Sequence, residues 1–342
     1  MSKLFAMAVT MSLLSPLATG AEFDYFHRTY ADAEKVARKE GKPLYLHFTT
    51  SWCGWCRRIE NDVYKLPGGK KALSPFVCAT LDCTVPRGQK PSKVAAFNQQ
   101  LMRKYGGGGY PFLVMVTADG DVLHKISGYK PLEAFKVDIT RAEENFQKLK
   151  AFQAYAAKAN KAGYEYNAKA LSFYSDTGSW DKAATAAAAI KKLDPTFKKG
   201  QAATASYAIL RGVKTNNKAR IVALEDEVIR HDPKNAEGYL QKVLWGRAAR
   251  AYGTTARNPD KKVQKAGALE GAKALKQLVA SAEKVSNEAN VYGFLGYLSA
   301  KAGLDDEAVT ALEKAIQLEP TSRRVPMLKK LLQDIKKAKA PK

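Results

Sequence analysis

Leu44-Tyr45-Leu46-His47-Phe48, followed by Trp52-Cys53-Gly54-Trp55-Cys56-Arg57-Arg58-Ile59-Glu60, is the stretch that decides the fold. The apolar run predicts a core strand over Leu44 to Thr49. The two cysteines come directly after it, at the mouth of a predicted helix. A thiol at a helix N-terminus meets unpaired backbone N–H groups and the positive end of the dipole, which stabilise its thiolate. A second thiol one turn inside lies close enough to attack a mixed disulfide formed by the first. Zinc is the competing chemistry for a C-x-x-C, but a closed site needs two further ligands. The only other cysteines, Cys78 and Cys83, fall in a strand pattern.

Upstream, Tyr30 to Glu40 has helical spacing with Ala33, Val36 and Ala37 on one face, and Gly41 and Pro43 end it. Downstream, the cysteine helix is expected to run to Leu66 and to close at Pro67-Gly68-Gly69. Phe76 to Asp82 reads as a second strand and Pro91 to Tyr105 as a second helix. Two apolar runs, Pro111 to Thr117 and Val122 to Ile126, flank Ala118-Asp119-Gly120-Asp121, a D-G hairpin signal. Pro131 opens a third helix. The order predicts an α/β unit, a mixed central sheet with helices on both faces.

That order resembles the thioredoxin family over roughly residues 25–147. Trp52 precedes the first cysteine, Asp82 ends the second strand, Gly109-Tyr110-Pro111 opens the third, and Gly128 follows the fourth. The likeness extends to exported thioredoxin-like proteins carrying Trp-Cys-x-x-Cys, among them the redox domain of the thiol:disulfide interchange reductase. It implies a thioredoxin fold and a redox-active disulfide between Cys53 and Cys56, with Cys53 the exposed nucleophile and Cys56 the buried resolving thiol. It implies a cis peptide before Pro111, packed against the disulfide, with the backbone at Tyr110 pairing with substrate. Gly54 and Trp55 set access and potential, and Gly-Trp is not the dipeptide of thioredoxin, of the isomerases or of the strong oxidases. Arg57, one turn beyond Cys53, is either a charge that holds the thiolate or a solvated side chain.

His47 departs from the family, which usually keeps a buried acid there to relay the resolving thiol's proton. An imidazole near neutrality does that job with a different pH profile, a cationic one lowers the pKa of Cys56, and a core histidine does neither. Cys78 and Cys83 are five apart, so in a straight strand their Cα atoms stand about 16 Å apart, on opposite faces. That exceeds the roughly 7 Å limit for a disulfide. Both read as buried or semi-buried free thiols, with Cys83 on the sheet edge nearest the C-x-x-C and so open to an accessory redox role. Gly106 to Gly109 lack the lysine and the following helix of a phosphate loop and read as a flexible approach to Pro111.

The second half is Ala-rich and helical to its end. Asp194-Pro195, Asp232-Pro233 and Glu319-Pro320 mark helix ends in similar contexts. Tyr292, Leu295, Gly296, Ala308, Leu312, Ala315 and Pro320 resemble a tetratricopeptide repeat turning at Gly303 to Asp306, and Asp181 to Pro195 has a similar second helix. Residues 203–236 fit that pattern poorly, and 253–265 read as an inserted basic loop. An all-α, TPR-like array of this kind binds peptides or proteins on its concave face.

The 342 residues are enough for two domains, and 46% hydrophobic with 10% aromatic composition excludes wholesale disorder. The net charge of +23 is uneven: 20 Lys and Arg against 14 Asp and Glu over residues 22–148, but 35 against 19 over 149–342. The basic half favours an acidic protein or peptide. No nucleic-acid motif is present.

Lys3, an apolar core from Leu4 to Leu17 and the small residues Ala18 to Ala21 read as a signal peptide. No segment is long and apolar enough to span a bilayer. The expected organisation is a signal peptide over 1–21, a thioredoxin-like domain over 22–148 and a helical domain over 149–342. The expected protein is a periplasmic or secreted thiol–disulfide oxidoreductase, a reductase or isomerase rather than an oxidase. Its partners are protein substrates and an external redox partner, with no metal and no organic cofactor. The alternative is a partner-binding module or redox-sensing holdase in which the thioredoxin unit does not turn over.

Overall fold

The computed structural model describes residues 25–339, so the segment read as a signal peptide lies outside the described residues. The chain divides into two compact units at Lys150 and Ala151.

The first unit is a five-stranded sheet in the order β1-β3-β2-β4-β5. Its strands are β1 (Phe26–His27), β2 (Leu44–Thr49), β3 (Val77–Asp82), β4 (Phe112–Val116) and β5 (Val122–Ser127). β2 is central and parallel to β3, which is parallel to β1; β4 runs antiparallel to β2, and β5 to β4. The mixed sheet expected from the apolar runs is therefore present, with β1 added at one edge.

Alternation along β2 splits its side chains between two layers. Leu44, Leu46 and Phe48 join Val77, Ala79, Leu81, Phe112 and Val114 in one apolar cluster. Helix α1 (Tyr30–Glu40) covers it with Ala33 and Ala37, and α4 (Lys93–Lys104) with Leu101 and Met102. Thr29 caps α1 by accepting the Asp32 N–H at 3.2 Å, and Gly41 closes it in the left-handed region at φ 65°. On the other face Tyr45 and His47 meet Tyr64 and the buried Phe135 of α5 (Leu132–Ala156). The Tyr45 and Tyr64 hydroxyls share a buried 2.7 Å hydrogen bond.

Two local expectations need correction. The cysteine helix α2 (Gly54–Ile59) passes into a π turn (Glu60–Tyr64), and Pro67-Gly68-Gly69 opens a helix, α3 (Pro67–Leu73). Proline suits the first turn of a helix, where its missing N–H has no partner to lose. Gly69 is there for close approach: a Cβ would stand 1.8 Å from the Val63 carbonyl oxygen. Gly69→Ala is therefore expected to destabilise this unit by about 1–3 kcal/mol, read as a lower urea midpoint.

The second unit contains α6 (Tyr164–Asp176), α7 (Trp180–Leu193), α8 (Ala202–Gly212), α9 (Lys218–His231), α10 (Tyr239–Thr255), α11 (Lys261–Ser281), α12 (Glu288–Ala302), α13 (Asp305–Leu318) and α14 (Val325–Lys339). Sequential helices pack as hairpins around alanine- and leucine-rich seams. The Asp-Pro signals work through the carboxylate. Asp194 accepts the N–H groups of Lys198 and Lys199, and Asp232 those of Glu237, Tyr239 and Leu240. Residues 253–265 are not an inserted loop. Helix α10 runs to Thr255, with the Thr254 and Thr255 hydroxyls donating back to the carbonyls of Arg250 and Ala251, and Asp260 caps α11.

Candidate active site

Both cysteines of the C-x-x-C sit where β2 ends and α2 begins. They are joined as a disulfide, with Cα atoms 5.2 Å apart. Cys53 is the N-cap of α2: its sulfur accepts the Cys56 N–H at 3.1 Å. In the disulfide Cys53 is 4% exposed, not the open side chain expected of it, and Cys56 is 1% exposed. What stands outside are the two tryptophans, Trp52 at 65% and Trp55 at 55% exposure.

The loop is fixed from both sides. The Cys53 N–H reaches the Thr50 carbonyl at 3.0 Å, and the Ser51 N–H reaches the Thr84 hydroxyl at 2.8 Å. Arg57 donates to the Ser51 carbonyl at 2.8 Å. Its guanidinium thus braces the loop while the side chain stays exposed on the helix surface.

Each tryptophan belongs to its own aromatic wall. Trp52 meets Tyr110 edge-on with ring centroids 5.7 Å apart, and the Tyr110–Pro111 peptide is cis. Pro111 precedes β4, and its carbonyl accepts the Gly128 N–H at 2.9 Å. On the other side Trp55 lies against Tyr129 at 5.6 Å, and the Arg58 guanidinium sits over both rings, 5.5 Å and 5.1 Å from their centroids. Asp62 ties this wall together, accepting from the Tyr129 hydroxyl at 2.7 Å and from Arg58 at 3.2 Å. Sequence reasoning missed Arg58, Asp62 and Tyr129. The helical spacing of Trp55, Arg58 and Asp62 was a legible signal; Tyr129, far along the chain, left none.

His47 lies one layer below, fully buried, with its ring 5.5 Å from that of Tyr64. Neither ring nitrogen has a hydrogen-bond partner among the described residues. Burial lowers its pKa to about 3. The ring is neutral at ordinary pH, so the cationic reading is corrected; the side chain is a core histidine whose ring nitrogens lack hydrogen-bond partners among the described residues.

Cys78 and Cys83 are buried free thiols. Cys83 belongs to the cluster of Leu44, Leu46 and Phe48, the face opposite to Tyr45. Burial pushes the Cys78 thiol up, and pushes Cys83 up to about 11, with a side-chain hydrogen bond from Tyr110 opposing. Such thiols stay protonated and unreactive at neutral pH. Among the described residues no three His, Cys, Asp or Glu side chains converge as a metal site, and no helix is long and apolar enough to cross a membrane.

Residues 30–139 match the family model of the thioredoxin-like domain, and this part of the chain is a thioredoxin-like domain. A curated protein, disulfide bond reductase DsbH of Chlamydia pneumoniae, is 27% identical over 104 residues, a match spanning 30% of this chain and 62% of that protein. Two solved structures are also similar. One, a DsbH oxidoreductase, has 22% identity and a TM-score of 0.30, covering 40% of this chain and 94% of its own. The other, the reduced C-terminal domain of DsbD from Neisseria meningitidis, has 21% identity and a TM-score of 0.27, covering 33% and 90%.

Proposed function

We propose that a thioredoxin-like domain over residues 22–148 exchanges disulfides with protein clients through Cys53 and Cys56, as a reductase or isomerase rather than an oxidase. The observation that carries this reading is the seat of Cys53, whose sulfur takes the Cys56 N–H at the first turn of α2. In the reduced pair that N–H stabilises the Cys53 thiolate. The thiolate attacks one sulfur of a client disulfide, forming a mixed disulfide and releasing the client's other sulfur as thiolate. Cys56, deprotonated, then attacks the Cys53 sulfur, freeing the second client thiolate and leaving Cys53–Cys56 oxidised. Two electrons have passed to the client, and an external dithiol returns them.

Export, to the periplasm or outside the cell, rests on the signal-peptide pattern of residues 1–21. Residues 149–342 supply the partner-binding role, consistent with their surplus of Lys and Arg. One feature supports the reductive direction: the similarity to a protein named a disulfide bond reductase. The test is a glutathione titration of the pair coupled to turnover of a protein disulfide. A potential near about −270 mV with turnover supports the reductase, and one near about −120 mV makes it an oxidase. A pair that titrates but turns over no protein disulfide removes the enzymatic reading.

A further inference from the structure

In the helical unit two hollows flank α10. The first, of about 290 Å³, lies between α8, α9 and α10 and is lined by Tyr207, Arg211, Glu225, Lys242 and Arg250. The carboxylate inside it is already neutralised: Glu225, 3% exposed, pairs with Arg250 and with Arg247 Nε at 2.6 Å. The other two cations rest on rings. Lys242 Nζ lies 4.6 Å from the Tyr239 centroid and 5.3 Å from that of Tyr207, two rings stacked at 4.6 Å. The Arg211 guanidinium lies 5.7 Å from the Trp180 ring. Among the described residues neither Arg211 nor Lys242 has a carboxylate in an ion pair. Asp232 acts on Lys242 only from a distance, its oxygens taken by the three N–H groups of Glu237, Tyr239 and Leu240. Lost hydration lowers the Lys242 pKa, Asp232 opposes this, and Arg211 lowers it further. Two like charges share a hollow that holds no free counter-charge.

The second hollow, of about 600 Å³, lies on the other side of α10 and is walled by Trp245, Gly293, Phe294, Tyr297, Leu328 and Leu331. Trp245 and Phe294 rings stand 5.1 Å apart, and Trp245 is 37% exposed. Its charged rim, Glu319 and Asp334 with Arg324 and Lys330, is balanced in sign. On α10, Lys242, Gly246 and Arg250 follow one row of the helix, and Trp245 and Ala249 the next. The first hollow opens on the α8 and α9 flank of α10 and the second on its α12 and α14 flank, with α10 between them.

We propose that this face binds an extended, acidic peptide segment that crosses α10, placing a carboxylate between Arg211 and Lys242 and an apolar side chain against Trp245 and Phe294. A helix is about 10 Å wide and an extended chain advances about 3.3 Å per residue, so the two anchors stand about three residues apart. The proposal rests on the partner-binding role given above to the helical domain and makes no use of disulfide chemistry.

The test uses the full-length oxidised protein on an array of cysteine-free peptides. Binding is expected to select Asp or Glu about three residues from Leu, Phe or Met, and to weaken as salt is raised from about 0.1 to about 0.5 M. Arg211→Glu and Lys242→Glu each weaken it about tenfold or more. Trp245→Ala weakens it with the thermal unfolding midpoint unchanged. Peptides that bind without acidic selection, or equally to Lys242→Glu, overturn the proposal and leave partner binding standing. An array with no binder removes both, and capture by anionic phospholipid vesicles alone assigns the face to a membrane surface instead.

Discussion

Cys53→Ser lowers the rate of protein disulfide exchange by about three orders of magnitude or more, because it removes the only thiol seated at the helix start. Cys56→Ser gives a different outcome. The first attack still proceeds, but nothing resolves the mixed disulfide, so client chains accumulate covalently on Cys53 and are released by added dithiothreitol. The two variants together separate nucleophile from resolver, which neither does alone. Non-reducing electrophoresis and mass spectrometry check both. If Cys56→Ser traps nothing and Cys53→Ser does, the order of attack is reversed. If neither affects turnover, the chemistry lies elsewhere, and burial leaves Cys78 and Cys83 poorly placed to supply it.

The same pair shows what local sequence carries. An apolar run followed by C-x-x-C encodes strand, turn and helix start within a short window, and the D-G turn encodes the β4–β5 hairpin in the same way. Both depend on neighbours in the chain. What escaped depends on distant contacts or on one residue's tolerance for crowding. β1 is two residues long and exists because β3 offers it a parallel edge. Pro67-Gly68-Gly69 looks like a stop, yet Gly69 is demanded by the Val63 carbonyl. Tyr129 closes the wall around Trp55 through Asp62 from far along the chain. In the helical unit, Thr254 and Thr255 look like loop residues, but their hydroxyls bond to helix carbonyls behind them. Arg57 shows the reverse case: its position was legible, but its partner, the Ser51 carbonyl, was not.

His47→Leu makes the thioredoxin-like unit less sensitive to acid. The free imidazole titrates near about 6.5, and burial holds the folded one at about 3. Between those values the unfolded chain takes up a proton that the folded one refuses, so stability is fully present above about 6.5 and is lost as the pH falls towards the folded value. The loss attributable to His47 grows by about 1.4 kcal/mol per pH unit, which is about 2 kcal/mol at pH 5 and on the order of 4–5 kcal/mol when complete. Leucine is close in size and has no proton to take up. At pH 7 the variant is expected to be at least as stable as the parent, because the two buried ring nitrogens have no hydrogen-bond partner among the described residues. The measurement is amide hydrogen exchange of β2, comparing the two proteins at pH 7 and again at pH 5. A gap that widens by about 2 kcal/mol at the lower pH assigns the acid sensitivity to His47. An equal gap at both places it elsewhere, with His124 the next group to test, since burial lowers its pKa too while Asp138 opposes the shift. The same variant addresses catalysis. A ring that stays neutral throughout the neutral range contributes no titration to the exchange rate, so the pH–rate profile between about pH 6 and 8 keeps its shape. A profile that shifts would mean that reduction of Cys53–Cys56 opens the layer below it, wetting His47 and bringing its proton back within reach of the resolving thiol.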